Sequence, residues 1–266
     1  MVYIQYASDL HIDHFPKGTR FESFLIPVSP ILVLAGDICS VWDPLYRHFL
    51  AWCSRNWYLV ILVTGNHEYF CMNKSSPKTI SQTDTEVYTL CNNFPNVRFL
   101  QNGASYTIPG TSIRFVGATL WSAVEPSIWS EVEQQKGDYV NTYTHVHSRT
   151  KPSDIYTLHR QHVQSLRNAI SSNEMLIVVT HHMPSEHLLE DSYKNDVWKS
   201  CYASKNDDLL TTNVRIWICG HSHRAKTWKS PGPLCVMNAR GYNCEEELQR
   251  KEERYNPRAC IQIGKN

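Results

Sequence analysis

Short runs of consecutive apolar residues recur along the chain and predict buried β-strands. They lie at residues 2–7, 31–35, 59–63, 113–116, 175–180, 214–219 and 234–237. Segments with the apolar spacing of helices lie between them, at 44–55, 84–93 and 153–170, with Ser153 as the predicted N-cap of the last. Strands that alternate with helices predict an α/β fold built on a layered sheet.

The later strands are separated by turn residues, among them Asn102-Gly103 and Pro109-Gly110. Such turns predict some antiparallel pairing, so we expect mixed sheets. The segment 125–151 is polar and aromatic without a clear period, which indicates a long functional loop or a small helical insertion. We expect a single domain over residues 1–266 with this insertion at about 125–151.

The composition narrows the class of protein. The chain has 26 basic and 25 acidic residues, so charge does not indicate nucleic acid or an anionic membrane as a partner, although a nucleic acid ester stays among the candidate substrates. Nine cysteines without C-x-x-C spacing are typical of a reducing compartment. No apolar run approaches the roughly 20 residues of a membrane span, so we expect a cytoplasmic protein. The oligomeric state is not predicted.

Polar residues follow the predicted strands at the points where the strands end. The motifs are Asp9-x-His11, Gly36-Asp37, Gly65-Asn66-His67-Glu68, His181-His182 and Gly220-His221-x-His223. Ligands collect outside the carboxyl ends of strands in open α/β sheets, so these side chains could meet in one crevice. Carboxylate, imidazole and amide ligands suit divalent cations, and two ions about 3.5 to 4 Å apart would use so many ligands.

Each motif alone has an ordinary structural explanation. An aspartate after glycine is more often a helix cap, and an asparagine after glycine usually serves its turn. In Asp9-x-His11 and His221-x-His223, however, the spacing puts both side chains on one face of an extended segment. The joint occurrence of the motifs in this order favours a metal site.

This ordered set resembles the calcineurin-like metallophosphoesterase superfamily, whose signature is D-x-H, G-D, G-N-H-[DE], a lone H and G-H-x-H. All five blocks lie within residues 9–223, and the resemblance extends to 117–122 and 238–242, as in compact, poorly characterised members. The resemblance implies two facing mixed β-sheets flanked by helices, a four-layer sandwich with the site at one edge.

The resemblance also implies a ligand set. The first metal would be held by Asp9, His11, Asp37 and His223, and the second by Asp37, Asn66, His181 and His221. The Asp37 carboxylate would bridge the two ions. Manganese is the expected metal, with iron, zinc, cobalt or magnesium as alternatives.

The implied reaction is hydrolysis of a phosphate ester by a hydroxide that bridges the metals. His67 would face the substrate and protonate the leaving group or stabilise the charged centre. Glu68 would orient His67 or a ligand, or else be a surface carboxylate. His182 would be a residue behind the ligands or a packing residue, because the residue directly after the strand, His181, is the expected ligand.

Other polar residues have competing interpretations. Arg240 could contact phosphate, although a surface salt bridge is the more ordinary role. His145-x-His147 imitates the last motif without its glycine and strand, and could line the substrate entrance. His159 and His162, three residues apart on a predicted helix, are expected on its surface.

The sequence favours a phosphodiesterase of small-molecule or nucleotide substrates. Protein serine/threonine phosphatases continue the second motif as G-D-x-V-D-R-G, whereas Ile38-Cys39-Ser40-Val41 follows here. A broad-range phosphomonoesterase and a non-catalytic interaction scaffold on the same fold are the alternatives, and the complete ligand set argues against the scaffold.

Overall fold

Two mixed β-sheets form the centre of the molecule in a computed structural model, which describes residues 2–71, 73, 75–170, 175–248 and 253–263. The first sheet has the order β13-β1-β2-β3-β4 and comprises β1 (Val2–Ala7), β2 (Ile31–Ala35), β3 (Leu59–Val63), β4 (Val97–Phe99) and β13 (Cys260–Ile263). The second has the order β11-β12-β10-β9-β6-β5 and comprises β5 (Ala104–Thr107), β6 (Ile113–Ala118), β9 (Met175–Thr180), β10 (Val214–Cys219), β11 (Ala225–Lys229) and β12 (Leu234–Asn238).

The predicted mixed pairing is confirmed. Strands β1, β2, β3 and β4 are parallel to one another, as are β6, β9, β10 and β12. The antiparallel strands β13, β5 and β11 lie at sheet edges. All the predicted strands form, and the strands that were not predicted are β4, the three antiparallel edge strands and a small hairpin described below.

Side chains along the central strands point alternately toward the helices and toward the other sheet, which explains the layers. In β2, Leu32 and Leu34 pack in a cluster with helix α1 (Pro44–Asn56), whereas Val33 packs with Val179 of the second sheet. On the far side, Trp217 packs in a cluster with helix α5 (Pro152–Ile170). Successive side chains of a strand point to opposite faces, so each sheet is covered on both sides. The expected four layers, helix, sheet, sheet and helix, are confirmed.

Two helices start earlier than their spacing predicts. Helix α2 (Ile80–Cys91) begins four residues before the predicted position 84, since Thr79 and Gln82 form a reciprocal capping box. Helix α5 begins at Pro152, so the prediction of Ser153 as N-cap is wrong. Proline is favoured in a first turn, and the Asp154 carboxylate accepts the N–H of Lys151 there.

The segment 125–151, the expected insertion, folds into short helices and a hairpin rather than an open loop. It contains α3 (Trp129–Gln135), α4 (Gly137–Val140) and a hairpin of β7 (Tyr143–His145) and β8 (Ser148–Arg149). Near the C-terminus, a 3-10 helix spans Asn243–Leu248, and residues 249–252 lie outside the described part. Within the described part, none of the helices has the length and apolar character needed to cross a membrane.

Candidate metal centre

The carboxyl ends of β1, β2, β3, β9 and β10 meet at one edge of the sandwich. The side chains that follow them form three groups whose donor atoms lie within 4.8 Å of one another. The groups are Asp9, His11 and His223; His11, Asp37 and His67; and Asp37, His181 and His221. Residues far apart in the chain thus converge as their positions after parallel strands predict.

In the first group, imidazole nitrogens and carboxylate oxygens face one another directly. His11 Nε2 lies 3.1 Å from His223 Nε2, and His223 Nε2 lies 3.5 Å from Asp9 Oδ1. Asp37 Oδ2 lies 3.8 Å from His11 Nε2. Asp9, His11 and Asp37 are almost fully buried. Such a cluster of electron-pair donors suits a cation at its centre.

A further set of donors, made up of Asp37, His181, His221 and the Asn66 amide, lies on the other side of the Asp37 carboxylate. His181 Nε2 is 3.0 Å from Asn66 Oδ1, 3.1 Å from His221 Nδ1 and 3.4 Å from Asp37 Oδ2. The same oxygen atom of Asp37 therefore approaches a histidine of each group. This arrangement provides two adjacent sets of N and O donors that share one carboxylate oxygen.

Hydrogen bonds behind the donors fix which atoms face the centre. His181 Nδ1 donates to the carbonyl of Ala35 at 2.8 Å, which leaves the lone pair of Nε2 for the centre. Asn66 Nδ2 donates to Asp138 Oδ1 at 2.7 Å, so the amide oxygen points inward. His223 Nδ1 lies 2.6 Å from Glu245 Oε2. Metal-binding histidines in proteins are oriented by partners of this kind.

The electrostatics around Asp37 and His181 favour a positive charge. Burial lowers the pKa of His181, but the charge and hydrogen bond of Asp37, together with Asp9 and the Ala35 carbonyl, raise that pKa to about 10. Burial likewise opposes ionisation of Asp37, but the neighbouring His181, His67 and His11 hold its pKa well below the usual range. The buried carboxylate thus attracts a cation, whether a proton on His181 or a metal ion.

Glu68 is completely buried, which rules out the surface alternative. Its carboxylate accepts the backbone N–H groups of Asp37 at 2.9 Å, Ile38 at 2.7 Å and Gly65 at 2.8 Å. Burial raises its pKa to about 8, with Asp37 adding to the shift, whereas the N–H donors act in the opposite direction. Glu68 ties the loop after β2 to the loop after β3, and so positions the Asp37 carboxylate.

The backbone at the donors is strained. Positive φ angles occur at Asp9 (53°), His11 (42°), Asp37 (55°), His221 (71°) and His223 (55°). Residues with a side chain rarely adopt this conformation, and it costs free energy that the surrounding structure must supply. Such a concentration at one edge of the sandwich is typical of a functional site.

Glycine is required where these loops touch. A Cβ atom at Gly65 would collide with the carboxylate of Asp37, and one at Gly220 would lie 2.5 Å from Asp9 Oδ2. The glycines before the donor residues therefore allow the loops to approach closely, as their place in the motifs predicts.

A cavity of about 400 Å³ opens beside the donor atoms. His67 lines it, and its backbone N–H donates to Asp37 Oδ1 at 2.8 Å while its Nε2 lies 3.1 Å from the Tyr242 hydroxyl. Burial lowers the pKa of His67. Phe70 packs on the imidazole with a ring-centroid distance of 4.2 Å. His67 is thus held at the cavity wall with its ring edge toward Tyr242.

The structure separates the remaining sequence candidates. His182 is buried and packs on the His221 ring at a centroid distance of 4.1 Å, so it lies behind the donors. The Arg240 guanidinium lies over the rings of Phe15 and Phe24, outside the lining of the metal-centre cavity, and its contact with phosphate stays a prediction.

The two remaining histidine pairs lie in different surroundings. His145 and His147 are on the β7–β8 hairpin and do not line this cavity. The expectation that His159 and His162 lie on a helix surface is wrong, because both are buried. They bind the backbone of the strained turn at Leu120 and Trp121.

Sequence reasoning missed several residues of the site, among them Glu245, Asp138 and Lys136. Glu245 belongs to a tail segment, 244–254, whose alternating charges predict a solvated helix, yet it contacts His223. Asp138 and Lys136 belong to the insertion and line the cavity. None of the three lies in a recognisable motif. For Asp138 and Lys136, the signal in the sequence is their position in the aperiodic segment 125–151.

The fold and the two donor groups define a class of protein, the metal-dependent phosphoesterases. Residues 6–225 match the family described as calcineurin-like phosphoesterase, and the chain belongs to this family. It is 25% identical over 279 residues to an uncharacterized protein of Acanthamoeba polyphaga mimivirus, a match that covers 98% of this chain and 96% of the relative.

Solved structures share the fold. The phosphopantetheinyl hydrolase of Mycobacterium tuberculosis is similar with a TM-score of 0.67 and 20% identity, over 94% of each chain. A protein of Thermus thermophilus, TT1561, is similar with a TM-score of 0.53 and 13% identity, over 90% of this chain and 89% of that one. At these identities the likeness extends to the fold alone.

Proposed function

We propose that the chain is a dinuclear metal-dependent phosphodiesterase that hydrolyses a small-molecule or nucleotide ester. The observation that carries the proposal is the position of Asp37 Oδ2, which lies 3.8 Å from His11 Nε2 and 3.4 Å from His181 Nε2. A carboxylate oxygen placed between two donor groups is suited to bridge two cations.

The residues present fit two divalent ions. Asp9, His11, Asp37 and His223 would hold the first ion, and Asp37, Asn66, His181 and His221 the second. Bound there, such ions would make hydroxide available at neutral pH and neutralise phosphoryl charge. Manganese is the ion we propose to test first, because mixed oxygen and nitrogen ligands accept it along with iron, zinc, cobalt and magnesium.

The protein's own residues would bind and position the ester. Asp138, Ala35 and Glu245 hold the amide and imidazole ligands in fixed orientations through the hydrogen bonds described above. His67 would protonate the leaving oxygen, and the Tyr242 hydroxyl, 3.1 Å from its Nε2, supports this role by holding the ring. Such pre-organisation favours the transition state because little rearrangement is needed during the reaction.

The lining of the cavity supports the proposal of a diester. It includes the apolar side chains Phe70, Met183 and Leu189. Apolar walls provide room for the second substituent of a diester.

Hydrolysis of bis-para-nitrophenyl phosphate tests the proposal. Metal-stripped protein should show turnover only after addition of manganese, faster than on mono-para-nitrophenyl phosphate. The reverse preference would favour the broad-range phosphomonoesterase. A protein that binds no metal in calorimetry would contradict the proposal and favour the interaction scaffold.

The role of His67 needs its own comparison. The His67→Ala variant should lose most for an ester with a poor leaving group and least for para-nitrophenol, which departs without a proton. Equal losses on both esters would contradict the acid role while leaving the hydrolase proposal intact. A phosphopantetheinyl ester and nucleotide diesters form the first panel of natural substrates.

A further inference from the structure

Among the described residues that line the active-site cavity, Lys136 forms no ion pair with a carboxylate, in contrast to Arg224. Arg224 forms ion pairs with Glu190 and Glu253. Glu245 is bonded to His223, and Asp138 accepts the Asn66 amide. Among the residues that the structure describes, none places a carboxylate within 4.0 Å of the amine of Lys136.

The lysine is held in place by aromatic side chains. Its Nζ lies 3.0 Å from the Tyr202 hydroxyl, 3.9 Å from the centre of the Trp198 ring and 4.9 Å from that of Tyr202. These cation–π contacts stabilise the charge without neutralising it. An ammonium group has three N–H donors, and the Tyr202 hydroxyl uses one, so the others can bind a ligand in the cavity.

The backbone around the lysine is equally well fixed. Lys136 joins α3 to α4, with its N–H donating to Val132 at 2.9 Å and its carbonyl accepting from Tyr139 at 3.1 Å. Trp198 Nε1 donates to Glu131 Oε1 at 3.1 Å, which links the segment that contains Trp198 and Tyr202 to α3. A long side chain that is already ordered loses less conformational entropy when it binds a ligand.

The aromatic ring of Tyr202 connects the lysine to the metal centre. It contacts Lys136 on one side and lies 5.7 Å from the His221 ring. The Asp138 carboxylate accepts the Asn66 amide at 2.7 Å and forms no ion pair within 4.0 Å of the lysine amine.

We propose that Lys136 binds a second phosphate group of the substrate, one that is not hydrolysed, in a subsite formed with Tyr202. This inference rests on the proposed function, because the first phosphate must lie at the metal centre. It names the substrate class as phosphoesters that carry a further phosphate on the leaving or the retained group. A lysine ammonium is a compact point charge suited to such a group.

Equilibrium binding to the manganese-loaded protein tests the subsite without turnover. The probes are propane-, pentane- and heptane-diol bisphosphates, each paired with the alkyl monophosphate of the same length, in calorimetric titrations. The wild-type protein should bind at least one bisphosphate about 10-fold more tightly than its partner, as expected for one charge-assisted hydrogen bond. The three lengths sample the unknown distance between the subsite and the metal centre.

Variants assign the preference to one side chain. Lys136→Met keeps the apolar stem between the rings and should abolish the preference, whereas Lys136→Arg should retain part of it. Lys205→Met is the matched control, since Lys205 is an exposed lysine paired with Glu125 and Glu186 outside the cavity lining. It should leave the preference unchanged, and all the variants should keep the wild-type melting temperature.

The outcomes separate the two proposals. A wild-type protein that hydrolyses bis-para-nitrophenyl phosphate but prefers no bisphosphate of any length overturns the subsite alone. A preference that survives in Lys136→Met does the same. A protein that binds neither manganese nor the monophosphates overturns the proposed function together with the subsite.

Discussion

The two ends of the active-site cavity are built in different ways. The metal end consists of residues that directly follow parallel strands, with strained backbone and buried side chains held by hydrogen bonds. The other end consists of Lys136 from the insertion and Tyr202 from an irregular segment, placed by aromatic contacts. On the two proposals above, the rigid strand ends would carry the chemistry and the irregular segments the choice of substrate.

The largest expected effect concerns the residue shared by both donor groups. Asp37→Asn removes the negative charge that both ions would share, so we expect kcat to fall by about 10³-fold or more and the bound metal to fall below two ions per chain. Steady-state kinetics and elemental analysis on the same sample measure both. Asp43→Asn is the control, because Asp43 caps α1 and asparagine caps helices equally well. Full metal content in the Asp37 variant would contradict the shared role.

Glu68→Gln tests the support beneath the metal end. The amide replaces one acceptor oxygen by an N–H₂ group that would face a backbone donor, so about 1–3 kcal/mol of unfolding free energy should be lost. Metal affinity should fall by roughly 10- to 100-fold, because the loops that carry Asp37 and Asn66 loosen. Denaturant titration and metal titration check the two effects, and unchanged metal affinity would limit Glu68 to a role in stability.

Gly65→Ala tests whether the loops after β2 and β3 must approach each other closely. The new Cβ atom would collide with the Asp37 carboxylate, so we expect about a 10-fold loss of kcat with little change in KM for a substrate bound at the far end. Gly110→Ala is the matched control, since its Cβ atom has open space although its φ is positive, at 75°. It should lower stability slightly and leave kcat as it is.

The pH dependence of stability tests the hydrogen bond between Asp84 and Tyr69. Asp84 accepts the Tyr69 hydroxyl at 2.6 Å, and burial raises its pKa to about 6 from an ordinary value of 3.8. A carboxyl with a raised folded-state pKa binds protons more readily in the folded state, so its contribution to stability increases as the pH falls from about 6 toward 4. In Asp84→Asn this increase should be absent. Thermal unfolding of both proteins between about pH 4 and 7 measures the difference.

The smallest expected effect is at the histidine pair that imitates the last motif. Replacing His145 and His147 together by alanine should change metal content not at all and kcat/KM by less than about 2-fold, because both lie outside the cavity lining. A loss beyond about 10-fold would place the β7–β8 hairpin in substrate binding and extend the substrate end beyond the cavity lining.

The central strands, their mixed pairing and the converging motifs could be predicted from the amino-acid sequence. Buried strands are continuous apolar runs, and residues after parallel strands meet at one edge, so order along the chain predicts proximity. The edge strands could not be predicted in this way. β5, for example, is mostly exposed and lacks an apolar run.

The remaining polar residues acquire their roles through tertiary contacts. Glu245 lies in a charged tail segment but contacts His223. His159 is buried, although helical spacing alone predicted an exposed face. The amine of Lys136 is held by the rings of Trp198 and Tyr202. These roles depend on contacts between segments distant in sequence. Periodicity describes the surroundings of a residue along its own element, and it contains no information about the element that packs against it.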